Sequence, residues 1–589
     1  MKTTHKVLST AVSLSLIFSI IFFTGCEKEV SDTEVNWLGD TLSTIDDNQK
    51  IGQLFCLSVD PISYFLYPTY QRNINTLIGK YKPGAIFLKA NLDSVKLEIR
   101  NEFNGSKLHD EVVKMQNLSV IPLFITTNFE SGAWYWDSKA TRFPFPLALG
   151  ASLSREFAYR QGKITSVEAK AQGINWLTAP AVNISIDPDN TLLQLQSFGN
   201  DPVLSADLGS RYIKGCQEVG IAACMKFFPN EAPQTLLTVS PDEIAPDQLD
   251  VFKSCVDSGV LSIMGSPIDL TDYDKLHERT ISEHLISDML RDRLGFNGLF
   301  VCKLITSNKP DYVIEEMNTL LETLKIGNNM FILPEVFGTD IPLLDILLNE
   351  MQSGNIDMKP VNVSAQKIVS MKNQLNLHLM KKIRLLRPMA GIGLPEYHQT
   401  SRDISNQCVT ILKNENNIMP VDYQNTHTLT ISFLDEFSPH YATIYENKVS
   451  QITENSRQIN IFGIPDQRIQ HEALRRAAEA DVVICSFFLK PDNVTKTSDL
   501  PREIKNLMNL IKNVNDQIII TSFYDPYLLN HFPDARGYII PYSPSQYSIH
   551  AAIEVIFGKR DAPGKLPLNI SEKFPLGYGI HYTEGLLSN

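Results

Sequence analysis

Carboxylates are the groups in this chain best placed for acid–base or nucleophilic chemistry. Glu130, Asp187, Asp189, Glu231, Asp242, Glu243, Asp269 and Asp272 all follow or flank short apolar runs. Two such groups held close together can serve as acid and base, or as nucleophile and acid. Asp187 and Asp189 equally suit a turn, and Asp242-Glu243 a helix N-terminus. His277 and His284 stand seven apart, on one face of an expected helix, and read as packing or surface residues. Eight cysteines lie at positions 26, 56, 216, 224, 255, 302, 408 and 485. None forms a C-x-x-C pair, so neither a zinc knuckle nor a thioredoxin-type site is expected. Those after Cys26 read as buried, unpaired core residues. Gly-x-Ser-x-Gly, P-loop and Gly-x-Gly-x-x-Gly motifs are absent, and no cofactor or metal is expected.

With 589 residues, two to four domains must position these groups. Hydrophobic residues make up 43% and charged residues 20%, which excludes a disordered or collagen-like chain. A net charge of −13 argues against nucleic-acid binding, which needs clustered Lys and Arg. Residues 1–25 read as a signal peptide: Lys2 and Lys6, an apolar run from Leu8 to Phe23, then Thr24-Gly25-Cys26. Val7–Phe23 is also long enough to be a short membrane span. Thr24-Gly25-Cys26 resembles a bacterial lipobox, which implies cleavage before Cys26 and acylation of that residue. Two acyl chains suffice for stable anchoring. The expected address is extracytoplasmic, lipid-anchored to a bacterial membrane on an outer-membrane, periplasmic or surface face.

The fold class expected is α/β. Apolar runs at Gly84–Leu88, Pro122–Thr126, Ile174–Thr178, Ile221–Lys226, Val260–Met264, Gly298–Cys302 and Asn329–Leu333 read as strands covered on both faces. Helical stretches such as Arg155–Ala171 and Leu204–Val219 separate them, which fits a (β/α)8 TIM-like barrel. A helical stretch over 365–384 should follow it. After the Gly- and Pro-rich segment Arg387–Pro395, strands at Val409–Leu412, Leu429–Phe433, Asp481–Phe487, Gln517–Ser522 and Gly537–Pro541 point to a doubly wound α/β sandwich. The expected division is a 26–48 linker, a barrel over 49–386, a linker over 387–398 and a sandwich over 399–589.

An ordered set of motifs resembles glycoside hydrolase family 3, the β-glucosidase and β-N-acetylhexosaminidase family. It comprises Phe143-Pro-Phe-Pro-Leu-Ala-Leu-Gly150, Gly173-Ile-Asn-Trp-Leu-Thr-Ala-Pro180 and Ser197-Phe-Gly-Asn-Asp-Pro202 in the barrel. Val409–Pro420, Gly564-Lys-Leu-Pro567 and Phe574-Pro-Leu-Gly-Tyr-Gly579 follow in the second half. The resemblance implies a carbohydrate ligand and a site at the barrel's strand ends. There the family's Asp-x-Glu-Gly-Gly-Arg is Asn128-Phe-Glu-Ser-Gly-Ala133, and its Arg-Ser-Phe-Gly is Gln196-Ser-Phe-Gly199. Its Lys-His-Phe-Pro-Gly-His-Gly is Lys226-Phe-Phe-Pro-Asn-Glu-Ala232, and residues 233–241 contain no His. The aspartate nucleophile expected after Gly295-Phe-Asn-Gly298 is replaced by Lys303. Only Lys226 keeps the family's residue.

Retaining glycoside hydrolysis needs a carboxylate that attacks and stabilises a cationic transition state. A lysine is protonated at pH 7 and adds like charge. Two charges about 4 Å apart repel by about 4 kcal/mol at an effective dielectric of 20, which is roughly a thousandfold in rate. The expectation is therefore an impaired or inactive family member that binds glycan or acts as a scaffold, with Lys226, Asn128 and Gln196 as substrate-binding positions. An active glycosidase with relocated acids, or a structural partner of an active paralogue, remain as alternatives. Relative to the family the site gains one net positive charge, which would suit an anionic glycan. The competing expectation pairs Lys303 with Glu130 or a neighbouring acid.

Overall fold

The computed structural model describes residues 37–89, 103–184, 191–229, 244–269, 284–306, 313–382, 391–435, 438–490 and 500–582. Within Met1–Ile45 the described part is one short helix, Trp37–Thr44. Asp46–Asn589 forms a single compact unit.

Its first half is a closed barrel of eight parallel strands. These are β1 (Phe55–Val59), β2 (Ala85–Leu88), β3 (Phe124–Thr127), β4 (Trp176–Leu177), β5 (Ala222–Phe228), β6 (Ser262–Gly265), β8 (Leu299–Ile305) and β9 (Met330–Glu335). Pairing runs from β1 through β6, then through β8 and β9, and back to β1. A ninth strand, β7 (Ile268–Asp269), pairs with the end of β8. Seven barrel strands coincide with the apolar runs, because side chains on both faces of a parallel strand are buried. β1 stood outside those runs, since Phe-Cys-Leu-Ser-Val dilutes its apolar pattern although all five residues are buried. The helix expected over 365–384 is two: Met358–Gln374, capped by Asp357, and Leu377–Lys382. Asn376 separates them at φ 54°, a left-handed conformation that Asn tolerates better than most residues. From the first of these, Lys372 is buried within the unit, donates to Gln53 Oε1 (2.6 Å) and stands over the Phe124 ring.

The second half is a six-stranded mixed sheet with helices packed against it. Its strands are β10 (Thr410–Asn414), β11 (Thr428–Leu434), β12 (Ser456–Phe462), β13 (Val482–Phe488), β14 (Ile518–Ser522) and β15 (Gly537–Ile540). They lie in the order β10-β15-β14-β13-β11-β12, parallel except for β10 against β15. β12 was not expected, because Ser-Arg-Gln-Ile-Asn-Ile-Phe is half polar. As an edge strand it is only partly covered.

The two halves meet beside the loop that follows β3. Helix Pro395–Cys408 opens on a proline, within the stretch read as a linker, and packs on helices Pro146–Ser152 and Arg155–Ala171. Glu168 fastens this joint. Its carboxylate accepts from Thr141 N (2.9 Å), Thr141 Oγ1 (2.9 Å) and Gly393 N (2.9 Å), with no surface exposed. Burial outweighs these bonds and pushes the carboxyl up to about 7. Between pH 4.5 and 7 the folded state therefore holds a proton that the unfolded state releases, and stability falls as pH rises through that window. Relative to Glu168→Gln, wild type should lose about 3 kcal/mol across it, read from urea unfolding at each pH. Parallel pH curves for the two proteins would contradict this.

Candidate ligand site at the barrel mouth

The C-terminal ends of the barrel strands carry a set of lysines and carboxylates. β3 runs straight into Asn128, Phe129 and Glu130, β5 carries Lys226, and β8 carries Lys303 opposite Ile332 of β9. Lys226 and Glu130 form an ion pair with side chains only 5% and 4% exposed. Gln161 Nε2 donates to the Glu130 carbonyl (2.9 Å), which fixes the backbone beneath that carboxylate. Lys226 also lies 5.3 Å from the Phe227 ring centroid, where the family places a histidine. Lys303 is half-buried, with its ammonium 5.4 Å from the centre of the Phe87 ring. Of the pairings expected for Lys303, with Glu130 or with a neighbouring acid, the one with Glu130 is corrected. Glu130 is bonded to Lys226 of β5 instead.

A second acid at the mouth was not foreseen. Glu335, the last residue of β9, accepts from Lys89 Nζ (2.8 Å) just past β2 and from the Tyr70 hydroxyl (3.0 Å). The Tyr70 oxygen in turn accepts from Asp60 N at the end of β1 (3.2 Å), and burial pushes this phenol well above its ordinary value. The signal was present: a glutamate two residues after the apolar run Asn329–Leu333. It stands where a barrel strand delivers side chains to the site face.

Asn128 is half-buried beside Glu130, and Gln196 ends the helix Thr191–Gln196. Asp269 pairs through its backbone with Ile305, and His284 opens the helix His284–Arg293. Cys26, Asp187, Asp189, Glu231, Asp242, Glu243, Asp272, His277 and the 233–241 loop lie outside the described residues. The seven described cysteines are all buried and free. Burial pushes their thiols up, Cys216, Cys224 and Cys255 to about 12, so none supplies a thiolate. Among the described residues, the groups at the mouth are suited to hydrogen bonding. Ammonium groups hold both Glu130 and Glu335 in bonded positions, and the Asn128 amide can donate or accept.

Comparison with known proteins gives the same architecture. Residues 45–371 match the Glycosyl hydrolase family 3 N terminal domain, and residues 409–584 match the family's C-terminal domain. A β-N-acetylglucosaminidase/β-glucosidase of Cellulomonas fimi is 26% identical over 420 residues, spanning 68% of this chain and 71% of that protein. The solved structure of a β-glucoside phosphorylase bound to 2FGlc superimposes with a TM-score of 0.72 at 20% identity. It covers 92% of this chain and 97% of its own. A family 3 β-N-acetylglucosaminidase from Paenibacillus sp. gives 0.70 at 19% identity, over 90% of this chain and 99% of that one.

Proposed function

The chain belongs to glycoside hydrolase family 3, and from that membership we propose a membrane-anchored glycan-binding protein that has lost the family's hydrolytic chemistry. The observation that carries this reading is Lys303 on β8, at the place where the family's motif delivers its nucleophilic carboxylate. A protonated ammonium cannot attack, and it opposes the positive charge that develops at the anomeric carbon. Lys226, Asn128 and Gln196 stand at positions where the family contacts sugar hydroxyls. The added positive charge of Lys303 favours an anionic glycan over a neutral one. The purified protein should therefore give no measurable hydrolysis of aryl β-glucosides or β-N-acetylglucosaminides. A turnover of about 1 s⁻¹, at the low end for enzymes, would overturn the reading.

Glu335 favours one second reading, an active glycosidase whose acid has moved to β9. On that reading hydrolysis is measurable and Glu335→Gln abolishes it.

The membrane part of the proposal rests on Thr24-Gly25-Cys26 after the apolar run. Cys26→Ser should move the protein from the membrane to the soluble fraction, because the acylated thiol and its processing site are both lost. Continued membrane partition of an uncleaved Cys26→Ser chain would make the apolar run a true span.

A further inference from the structure

A separate cleft lies between the loop following β3 and the helices of the second half. Its volume is about 450 Å³, and Ile62, Trp134, Arg142, His398, His440 and Tyr547 are among its walls. Clefts of roughly 300–1,000 Å³ with apolar walls and few polar groups are the usual form of small-ligand sites. None of Asn128, Gln196, Lys226 or Lys303 lines it.

Arg142 is the charged group among the cleft's described walls. Its guanidinium lies 4.1 Å from the Trp134 ring centroid and 5.4 Å from that of Tyr441, and Nη2 donates to the Tyr441 hydroxyl (2.8 Å). Among the described residues no carboxylate bonds it, and no Asp or Glu lines the cleft. Arg142 is half-buried and lines the cleft, and a guanidinium matches a carboxylate or sulfate with two parallel bonds. Arg402 stands 5.1 Å over the ring of Tyr547, one of the cleft's walls. His398, His440, Gln546 and Ser138 add groups able to donate to ligand oxygens.

The apolar wall argues for a ring rather than a bare ion. Ile62, Phe103, Ile444 and Tyr547 bound the space next to the guanidinium. Trp134 offers its edge, because Arg142 covers one face and Tyr135 stacks at 4.8 Å. We propose that this cleft is a second ligand site for an acidic sugar ring, whose carboxylate or sulfate pairs with Arg142 and whose carbon face lies on the apolar wall. The proposal does not rest on the reading of the barrel mouth.

Titration of the full chain with methyl β-glucuronide, methyl β-glucoside and inorganic sulfate, followed by calorimetry and tryptophan fluorescence, tests it. In the Lys303→Ala background the glucuronide should bind at least about tenfold more tightly than the glucoside, and adding Arg142→Gln should remove that margin. Added salt should weaken the glucuronide alone. His398→Ala should weaken glucuronide binding too, and it decides the matter if Arg142→Gln does not fold. Lys303→Ala removes the added cation of the mouth, so a margin that survives in Lys303→Ala and disappears in Lys303→Ala/Arg142→Gln separates the cleft from the mouth. Equal affinity for glucuronide and glucoside, no effect of either cleft variant, or no glucuronide binding overturns the proposal. Sulfate bound as tightly as glucuronide would leave an anion site without a sugar, which also overturns it.

Discussion

Lys226→Met should destabilise the protein by about 3–5 kcal/mol, because it strands a carboxylate in a place that water does not reach. The Glu130 side chain is 4% exposed, and the ammonium it would lose is its bonded counter-charge. Methionine fills the volume of the lysine stem, so packing changes little and the loss isolates the charge. Lys226→Met/Glu130→Leu should recover most of the stability, since removing both charges removes the uncompensated burial. Urea unfolding of both single variants and the pair gives the coupling directly. A loss under about 1 kcal/mol in Lys226→Met would place this pair among hydrated surface bridges and contradict the burial.

That ion pair also marks the limit of what the amino-acid sequence discloses. The barrel was legible because its parallel strands must be apolar on both faces, as Ala-Ile-Phe-Leu of β2 and Met-Phe-Ile-Leu of β9 show. The place of Lys303 was legible through its glycines. A Cβ at Gly298 would lie 2.3 Å from the Leu261 carbonyl oxygen, and Gly295 sits at φ +73°, so both positions hold the register of β8. The partner of Glu130 was not legible. Lys226 is 96 residues away, and nothing local distinguishes it from Lys303 as the closer ammonium. The cleft at Arg142 was hidden for a similar reason. It assembles from Ile62 of the helix Pro61–Leu66, from Phe103, from the loop after β3 and from three helices of the second half, none of which carries a motif for it. The edge strand β12 escaped because an edge tolerates polar residues that a central strand does not.

Lys303→Asp should return a carboxylate to β8 and still leave turnover of unactivated β-glycosides undetectable. Removing the ammonium relieves about 4 kcal/mol of repulsion against the developing cation, a gain of roughly a thousandfold. The attacking group is also restored. Proton donation to the leaving oxygen is not, and that step is worth about 10²–10⁴ in rate. Phe227 stands where the family has a histidine, and residues 233–241 supply no other. The two guanidinium positions of the family remain Ala133 and Gln196, so orientation of the sugar is not recovered either. A leaving group acidic enough to depart without a proton separates these losses. With a dinitrophenyl β-glycoside, Lys303→Asp should release dinitrophenol in a burst of one equivalent, as a glycosyl-enzyme forms and then hydrolyses slowly for want of a base. Wild type should show no burst, since Lys303 neither attacks nor stabilises. Turnover of an alkyl β-glycoside by Lys303→Asp at about 1 s⁻¹ would mean that a working acid already faces the mouth. Glu335 would be the first residue to replace, and the loss of catalysis would then reside in Lys303 alone.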